Sequence, residues 1–312
     1  MSKENNTIAN TEKPVKASKL KDYIQLIKFT LSFMVVFSSV VSFLIAPNEL
    51  HFVRSKVLSV LLLFAAGMLI TGSANAVNQI LEKETDAVMK RTAARPVASG
   101  RMSIQEATWF AIIAGFLGVA TLWYFFNYQS ALIGLFSLFL YGFIYTPLKK
   151  VNSIAVLIGA IPGALPCLIG WVAAFGDGNV HWAGAWILFG IQFFWQFPHF
   201  WAIAWLAHQD YTKAGFKLLP GSKGPTKFTA LQTVIYSVLM IPFGLLPYYI
   251  NIAGWVSVWV LLACNLWMVF VSIRLFQKMD AGSARKVMFS SYFYLMVVLL
   301  ALFMDRVIPA IG

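Results

Sequence analysis

Charge is scarce in this chain: 12% of its 312 residues are Asp, Glu, Lys or Arg, and the acids number 12 against 24 bases. Inside the long apolar runs ionisable side chains are almost absent, with Glu106, Arg274 and Asp305 standing at or beyond the ends. That argues against a proton-coupled pump or an ion channel, whose ionisable groups lie at membrane depth. Cysteine is nearly lacking as well. Cys167 and Cys264 both sit in apolar runs, so there is no disulfide framework and no haem-attachment motif, and two buried small hydrophobes need no further role.

Apolar residues, by contrast, make up 59% of the chain, a composition that excludes an ordinary soluble domain and indicates an integral membrane protein. Uncharged or nearly uncharged runs long enough to cross about 30 Å of hydrocarbon occur near 29–46, 57–80, 107–126, 130–147, 153–175, 182–207, 229–249, 252–273 and 287–304. The expected fold is all-α and polytopic, with nine transmembrane helices. If the N-terminus is cytoplasmic, all Lys and Arg except Arg54, Lys56 and Arg306 fall on the cytoplasmic side, in accord with the positive-inside rule. The C-terminus is then outside. The net charge of +12 is first a topology signal, with attraction to anionic lipid or substrate second; nucleic acid is not needed to explain it. Residues 1–27 read as a flexible cytoplasmic tail and 28–312 as a single transmembrane domain. The first apolar run is too long for a signal-peptide core and lacks a small-residue cleavage site, so it is expected to stay in the mature protein.

The charges gather at the cytoplasmic ends of the even-numbered helices, which suggests two four-helix halves with a ninth helix appended, around a cavity facing the cytoplasm. At the end of the second helix Asn78, Glu82 and Asp86 recur every four residues, so on a helix all three share one face. Two stacked carboxylates repel by a few tenths of a kcal/mol, a cost that a divalent cation turns into attraction. Arg91 and Arg95, also four apart, follow at once. Carboxylates for a hard cation and guanidinium groups for phosphate oxygens together describe a site for a metal-bridged diphosphate.

Two further stretches point to the same space. Asp210, beyond the sixth helix, is the natural partner of Glu82 and Asp86; if the second and sixth helices pack together, these acids and Asn78 can hold one or two Mg2+ ions. The alternative is that Asp210 balances Lys213 in a solvated loop. Lys149 follows Tyr145 by four residues, so Lys149 can hold a phosphate while Tyr145 donates to one or lines the apolar pocket behind it. Lys213 and Lys217 are also explained by topology. In the fifth helix Gly159 and Gly163 have the spacing that lets membrane helices approach closely, and Pro162 and Pro166 bend it, leaving room for a broad, flat ligand. His199, after Trp195, Gln196 and Pro198, is the histidine well inside a span. It can abut or ligate a metalloporphyrin iron, or bond a carbonyl freed by Pro198.

The run Asn78, Glu82, Asp86, Met89, Arg91, Thr92, Arg95, Pro96 resembles the first acidic motif of the UbiA-type intramembrane prenyltransferases, and within them the branch that makes haem O. So do Tyr145, Thr146, Lys149, Lys150, the stretch Gly159–Trp171, and Trp195, Gln196, Pro198, His199 with Asp210, Tyr211, Ala214, Gly215, Leu219 and Pro220. Glu82 stands where the family usually has Asp, and the position four before Asp210, an acid in many members, is Leu206. The resemblance implies farnesyl transfer from farnesyl diphosphate to a vinyl group of haem B, with water added to give haem O for terminal oxidase biogenesis. Mg2+ on Asn78, Glu82, Asp86 and Asp210 would hold the diphosphate, and Arg91, Arg95, Lys149 and Lys213 would bind it. Tyr145, Trp195, Gln196 and His199 would line the haem pocket. Membrane lipid, and haem A synthase or oxidase assembly factors, are the implied partners, in a bacterial plasma membrane. Rival readings keep the site with a quinone or other aromatic acceptor, or make the bent fifth helix the midplane site of a transporter or haem carrier; the confinement of strong charges to one face speaks against the latter.

Overall fold

The computed structural model describes residues 18–47, 55–176, 178–221 and 224–307. Lys3, Lys13, Lys16, His51, Arg54, Lys223 and most of the expected tail lie outside the described residues. In chain order the helices are α1 (Lys19–Leu26), α2 (Phe29–Ile45), α3 (Lys56–Leu81), α4 (Lys83–Val88), α5 (Ile104–Phe125), α6 (Tyr128–Phe139), a π-helical turn (Leu140–Tyr145), α7 (Thr146–Leu148), α8 (Ala155–Ala173), α9 (Trp182–Leu206), α10 (His208–Lys213), α11 (Lys227–Tyr249), α12 (Trp255–Lys278) and α13 (Ala281–Met304). Each of the apolar stretches marked in the sequence is thus helical. Among the described residues there is no named strand, only an isolated bridge between Ala253 and Arg306.

Seven segments are long and apolar enough to cross a membrane, with α6, the π-helical turn and α7 taken together as Tyr128–Leu148, or eight if α1 and α2, bent by 50° at their junction, count as one span. The sixth expected span, α9, stands outside this set: it is 25 residues long and uncharged, but its tryptophans, glutamines and histidine lower its mean hydropathy. Residues 19–26, expected as tail, instead form α1. That helix holds because α3 supplies it with polar partners: Gln79 donates to the Gln25 and Leu26 carbonyls at 3.1 and 3.0 Å, two of the orphan acceptors at a helix end.

Short connections are capped locally. Asn127, at the break between α5 and α6, accepts the Ser130 N–H at 2.7 Å and donates to the Val172 and Gly176 carbonyls, both at 2.8 Å. One side chain so closes the start of α6 and the end of α8 together. Ser55, Ser103, Thr226 and Asp280 cap α3, α5, α11 and α13 in the same way. At the other short break, Asn251 takes a left-handed conformation (φ 56°) that turns α11 into α12, one that Asn tolerates better than most residues.

Packing places α8 at the centre: 78% of its apolar stretch is buried, against 22–39% for the other six such helices. It lies against α2, α6 and α9, while α9, α11, α12 and α13 pack round in a closed order and α13 also reaches α2. The last helix is therefore built into the second half of the bundle and is not appended to it. The prolines of α8 leave carbonyls without helical partners, and neighbours use this face as a fastening. Ser137 donates to Pro162 O, the acceptor freed by Pro166, at 3.4 Å. Gln192 and Gln196 of α9 donate to Gly163 O and Ala160 O at 2.8 and 2.9 Å. The glycines serve close approach in different ways: a Cβ at Gly159 would meet the Tyr145 ring and one at Gly163 the Gln196 amide, whereas one at Gly170 would overlap the Ser39 carbonyl of α2. Backbone meets backbone at the last position and has no side chain to yield. Gly170→Ala should therefore destabilise the protein by about 1–3 kcal/mol as overpacking does, read as a lowered thermal midpoint in detergent; an unchanged midpoint would show that α2 can move away.

Candidate functional site

The repeat Asn78, Glu82, Asp86 runs across a joint. α3 ends at Leu81, Glu82 has φ −100° and ψ 10°, and α4 starts at Lys83. The helical path is nearly kept, because Glu82 N–H donates to Asn78 O at 3.0 Å and Asp86 N–H to Glu82 O at 2.7 Å. Both carboxylates are buried, Glu82 at 4% and Asp86 at 0% exposure. In such surroundings each needs a cation.

Arg95 Nη1 donates to Asp86 Oδ2 at 2.6 Å, leaving Asp86 Oδ1 buried and without a partner. Lys149 Nζ stands 2.6 Å from Glu82 Oε1 but off the hydrogen-bonding direction, so that oxygen too has no hydrogen bond. Asp86 Oδ1, buried and unpartnered, is the hard donor that a Mg2+ ion takes, and Glu82 Oε1 becomes a second once the Lys149 ammonium leaves it, with the remaining positions filled by water and substrate phosphate. Asp210 does not complete the set. Among the described residues no three His, Cys, Asp or Glu side chains gather to hold a metal, and the half-buried Asp210 carboxylate pairs with none of them. No residue of its helix, α10, is buried; just beyond it Ala214 and Phe216 pack on Met89 of the turn after α4.

The two arginines diverge. Arg95 turns to Asp86, while Arg91, exposed, donates to the Tyr211 hydroxyl at 3.3 Å; Thr92 locks the turn between them by donating to Asp86 O at 2.9 Å. Lys213 is exposed on α10 and joins no ion pair among the described residues. Lys149 is buried, its ammonium 4.6 Å from the centre of the Tyr145 ring and 5.6 Å from that of Phe216.

One site residue escaped the sequence reading. Lys28, the residue just after the expected tail, adopts a left-handed conformation (φ 49°) between α1 and α2 and donates from Nζ to Asn78 Oδ1 at 2.7 Å. The bend that aims it is fixed from α3, where Asn75 donates to Ile27 O at 3.0 Å and to Ser32 Oγ at 3.1 Å. Asn78 in turn donates to Thr146 Oγ1 at 3.3 Å, and that hydroxyl donates to Tyr141 O at 2.8 Å, within the π-helical turn. Such turns are frequent at functional sites. The site thus gathers three basic side chains, Lys28, Arg95 and Lys149, around two acids, a set of donors suited to an anionic ligand.

Behind it lies a cavity of about 560 Å³, within the usual size of a ligand pocket. Its wall runs from Asn75 and Tyr145 along Gly159, Pro162 and Gly163 to Trp195, Gln196 and His199. Leu31 of α2 and Tyr292 of α13 also line it and are 51% and 44% exposed on the flank of the bundle. Gln196 spends its amide donors on Ala160 O and Gln192 O. His199 does not bond a carbonyl freed by Pro198. Its Nδ1 lies 2.8 Å from Ser291 Oγ, and Ser291 donates its own proton to Met288 O at 2.6 Å. Ser291 is then the acceptor, so Nδ1 carries the hydrogen and Nε2 keeps its lone pair. Trp195 stacks on the imidazole with centres 5.0 Å apart and donates to Ser291 O at 2.6 Å.

A model of the UbiA prenyltransferase family matches residues 35–300. A protoheme IX farnesyltransferase of Cytophaga hutchinsonii is 40% identical, covering 93% of this chain and 99% of its own; another, of Flavobacterium johnsoniae, is 41% identical over 91% and 94%. The fold is similar to that of a structure described as a digeranylgeranylglyceryl phosphate synthase, at 22% identity and a TM-score of 0.75, over 92% of this chain and 98% of that one. It is also similar to a UbiA homologue from Archaeoglobus fulgidus bound to GPP and Mg2+, at 18% identity and a TM-score of 0.61, over 91% and 99%.

The buried pairing makes a prediction independent of catalysis. Arg95→Met should cost about 3–5 kcal/mol by stranding Asp86, and Asp86→Asn in the same chain should recover much of that loss in a double-mutant cycle of thermal or denaturant unfolding. Additive losses would show that the two do not interact.

Proposed function

The chain belongs to the UbiA prenyltransferase family and is an integral membrane prenyltransferase; from that premise we propose that it transfers the farnesyl group of farnesyl diphosphate to a vinyl carbon of haem B, with addition of water, giving haem O for terminal oxidase biogenesis. One observation carries the reading. Tyr145 belongs to both halves of the site, since its ring supports the Lys149 ammonium and also lines the apolar cavity that ends at His199. A diphosphate held by the charged cluster so has its prenyl chain beside the place where an acceptor would lie. The names of the relatives supply the acceptor.

In this reading Glu82, Asp86 and Asn78 would hold a Mg2+ ion, whose positive charge would offset the negative charge that grows on the departing diphosphate. Arg95 and Lys149, released from their carboxylates, turn to phosphate oxygens together with Lys28, and Arg91 and Lys213 add positive charge at the rim. The C–O bond breaks, and its electron pair departs with the diphosphate. Tyr145 and the aromatic wall keep water from the farnesyl cation and present ring faces to it. The vinyl π electrons form the new carbon–carbon bond, and the cation left beside the porphyrin takes a water oxygen and loses a proton. His199, with Nε2 unprotonated, would meet the haem iron, and Ser291 sets that tautomer. All nine long helices, α9 included, cross a bacterial plasma membrane with the charged end of the bundle in the cytoplasm and the C-terminus outside. The transmembrane domain of residues 28–312 is buttressed at its start by α1, and haem A synthase or an oxidase assembly factor takes the product.

The deciding experiment is mass spectrometry of haem extracted after incubation with farnesyl diphosphate and Mg2+. Haem gains a farnesyl group plus water on this reading; haem recovered unchanged while a quinone is prenylated would reject it. Asp86→Asn should lower kcat by at least about 10²-fold, the scale of losing a charge-stabilising group. Asp210→Asn should raise KM for the diphosphate with kcat largely kept, because Asp210 stands apart from the buried acids. His199→Ala should shift the Soret band of bound haem, and Ser291→Ala should weaken haem binding by about tenfold, as loss of an outer-shell partner does; an unchanged Soret band in the first variant would return His199 to a packing role.

A further inference from the structure

A second cavity, of about 770 Å³, lies in the groove between α12 and α13, away from the prenyl-transfer site. Arg274 and Lys278 of α12 and Lys286 of α13 stand at one end, and Trp267, Phe289 and Phe293 line the remainder. The spacing makes this one surface: Trp267, Arg274 and Lys278 recur at helical intervals on α12, as Lys286 and Phe293 do on α13. All three cations are exposed, and no carboxylate pairs with them among the described residues. The nearest acid, Asp280, is spent on capping, accepting the Ser283 N–H at 2.6 Å; Arg285 beside it adds a further positive charge. The floor asks for nothing polar, because Tyr294 donates to Asn265 Oδ1 at 2.8 Å and Asn265 donates to Met240 O at 3.2 Å.

The cationic end can be placed. Ser291 of α13 lies against Trp195 and His199 near the end of α9, and α9 ends at the site, so the turn between α12 and α13 belongs to that same end of the bundle. From Lys278 to Ala263 the groove runs about 22 Å at 1.5 Å per residue. That length matches one leaflet, about half of a 30 Å hydrocarbon core, plus a headgroup. The Arg274 guanidinium also lies 5.8 Å from the Phe270 ring centre, where an interfacial cation is commonly held beside an aromatic side chain.

We propose that this groove is a binding site for an anionic phospholipid, with its phosphate on Arg274, Lys278 and Lys286 and an acyl chain along Trp267, Phe289 and Phe293. Charge and shape agree on such an amphiphile. A neutral lipid would leave three cations unmatched, and a free phosphate would leave the aromatic trough empty. The test is native mass spectrometry of the full-length protein in detergent, titrated with phosphatidylglycerol and with phosphatidylcholine of the same chains. Phosphatidylglycerol should be retained at least about tenfold better, and each of R274Q, K278Q and K286Q should lower its affinity by about fivefold, the effect of one basic residue at a membrane surface, while prenyl transfer persists. Equal retention of the two lipids, or a preference that survives in the triple variant, would overturn the proposal. So would complete displacement of phosphatidylglycerol by inorganic phosphate, which would mark a simple anion site, or by farnesyl diphosphate, which would mark a second substrate site. As a check that does not depend on the triple variant folding, brominated phosphatidylglycerol should quench the wild-type tryptophan emission more than Trp267→Phe emission; equal quenching would count against the groove.

Discussion

An ionised carboxylate taken out of water costs several kcal/mol unless a cation meets it, and here two are buried side by side. Much of the architecture at this end of the bundle answers that constraint. Arg95 comes from the turn after α4, Lys149 from the end of the fourth span and Lys28 from the bend between α1 and α2, so three separated pieces of chain converge on Glu82, Asp86 and Asn78. The left-handed Lys28, the π-helical turn before Thr146 and the side-chain bonds from Asn75 and Gln79 to the end of α1 are the local means by which those pieces arrive. Pairing of this kind is reversible in function. The cations that keep the acids ionised are the ones an incoming diphosphate would recruit.

The apolar half follows a different rule. Inside a membrane there is no water to take up carbonyls that prolines release, so α8 can bend only where neighbours supply donors. Ser137 does so at Pro162 O, Gln192 and Gln196 add donors at the neighbouring Gly163 and Ala160 carbonyls, and the same face leaves the cavity its room. A proline-rich helix at the centre of the bundle is thus stiff, since it is fastened from both sides.

Much of this was legible in the sequence. Hydropathy marks every long helix because span length and absence of charge are strong one-dimensional signals, and Asn127 and Asn251 turn the chain at the two short breaks where it had to turn. Glu82, Asp86, Arg95 and Lys149 were readable for the same reason: charge is rare enough here that a cluster stands out. Lys28 was not, because it follows a lysine-rich stretch that reads as tail. The π-helical turn leaves no compositional trace. Asp210 shows the limit of spacing arguments, which cannot say where a short helix beyond a span comes to rest; the chain around α10 is fastened by Ala214 and Phe216, which follow it, on Met89. Nothing in the apolar run around Ser291 marks it, and only the direction of its hydrogen bond to Met288 reveals what it does for His199.

The flank of the cavity has a consequence of its own. Because Leu31 and Tyr292 line the cavity and are also 51% and 44% exposed, an apolar acceptor entering beside them would come sideways, out of the bilayer. What governs encounter along such a path is the amount of acceptor per unit area of membrane, a two-dimensional concentration that does not change when the cell volume or the aqueous solubility of the ligand does. A sparingly soluble ligand is then abundant where this protein meets it, and saturation would track the composition of the membrane more closely than that of the cytoplasm.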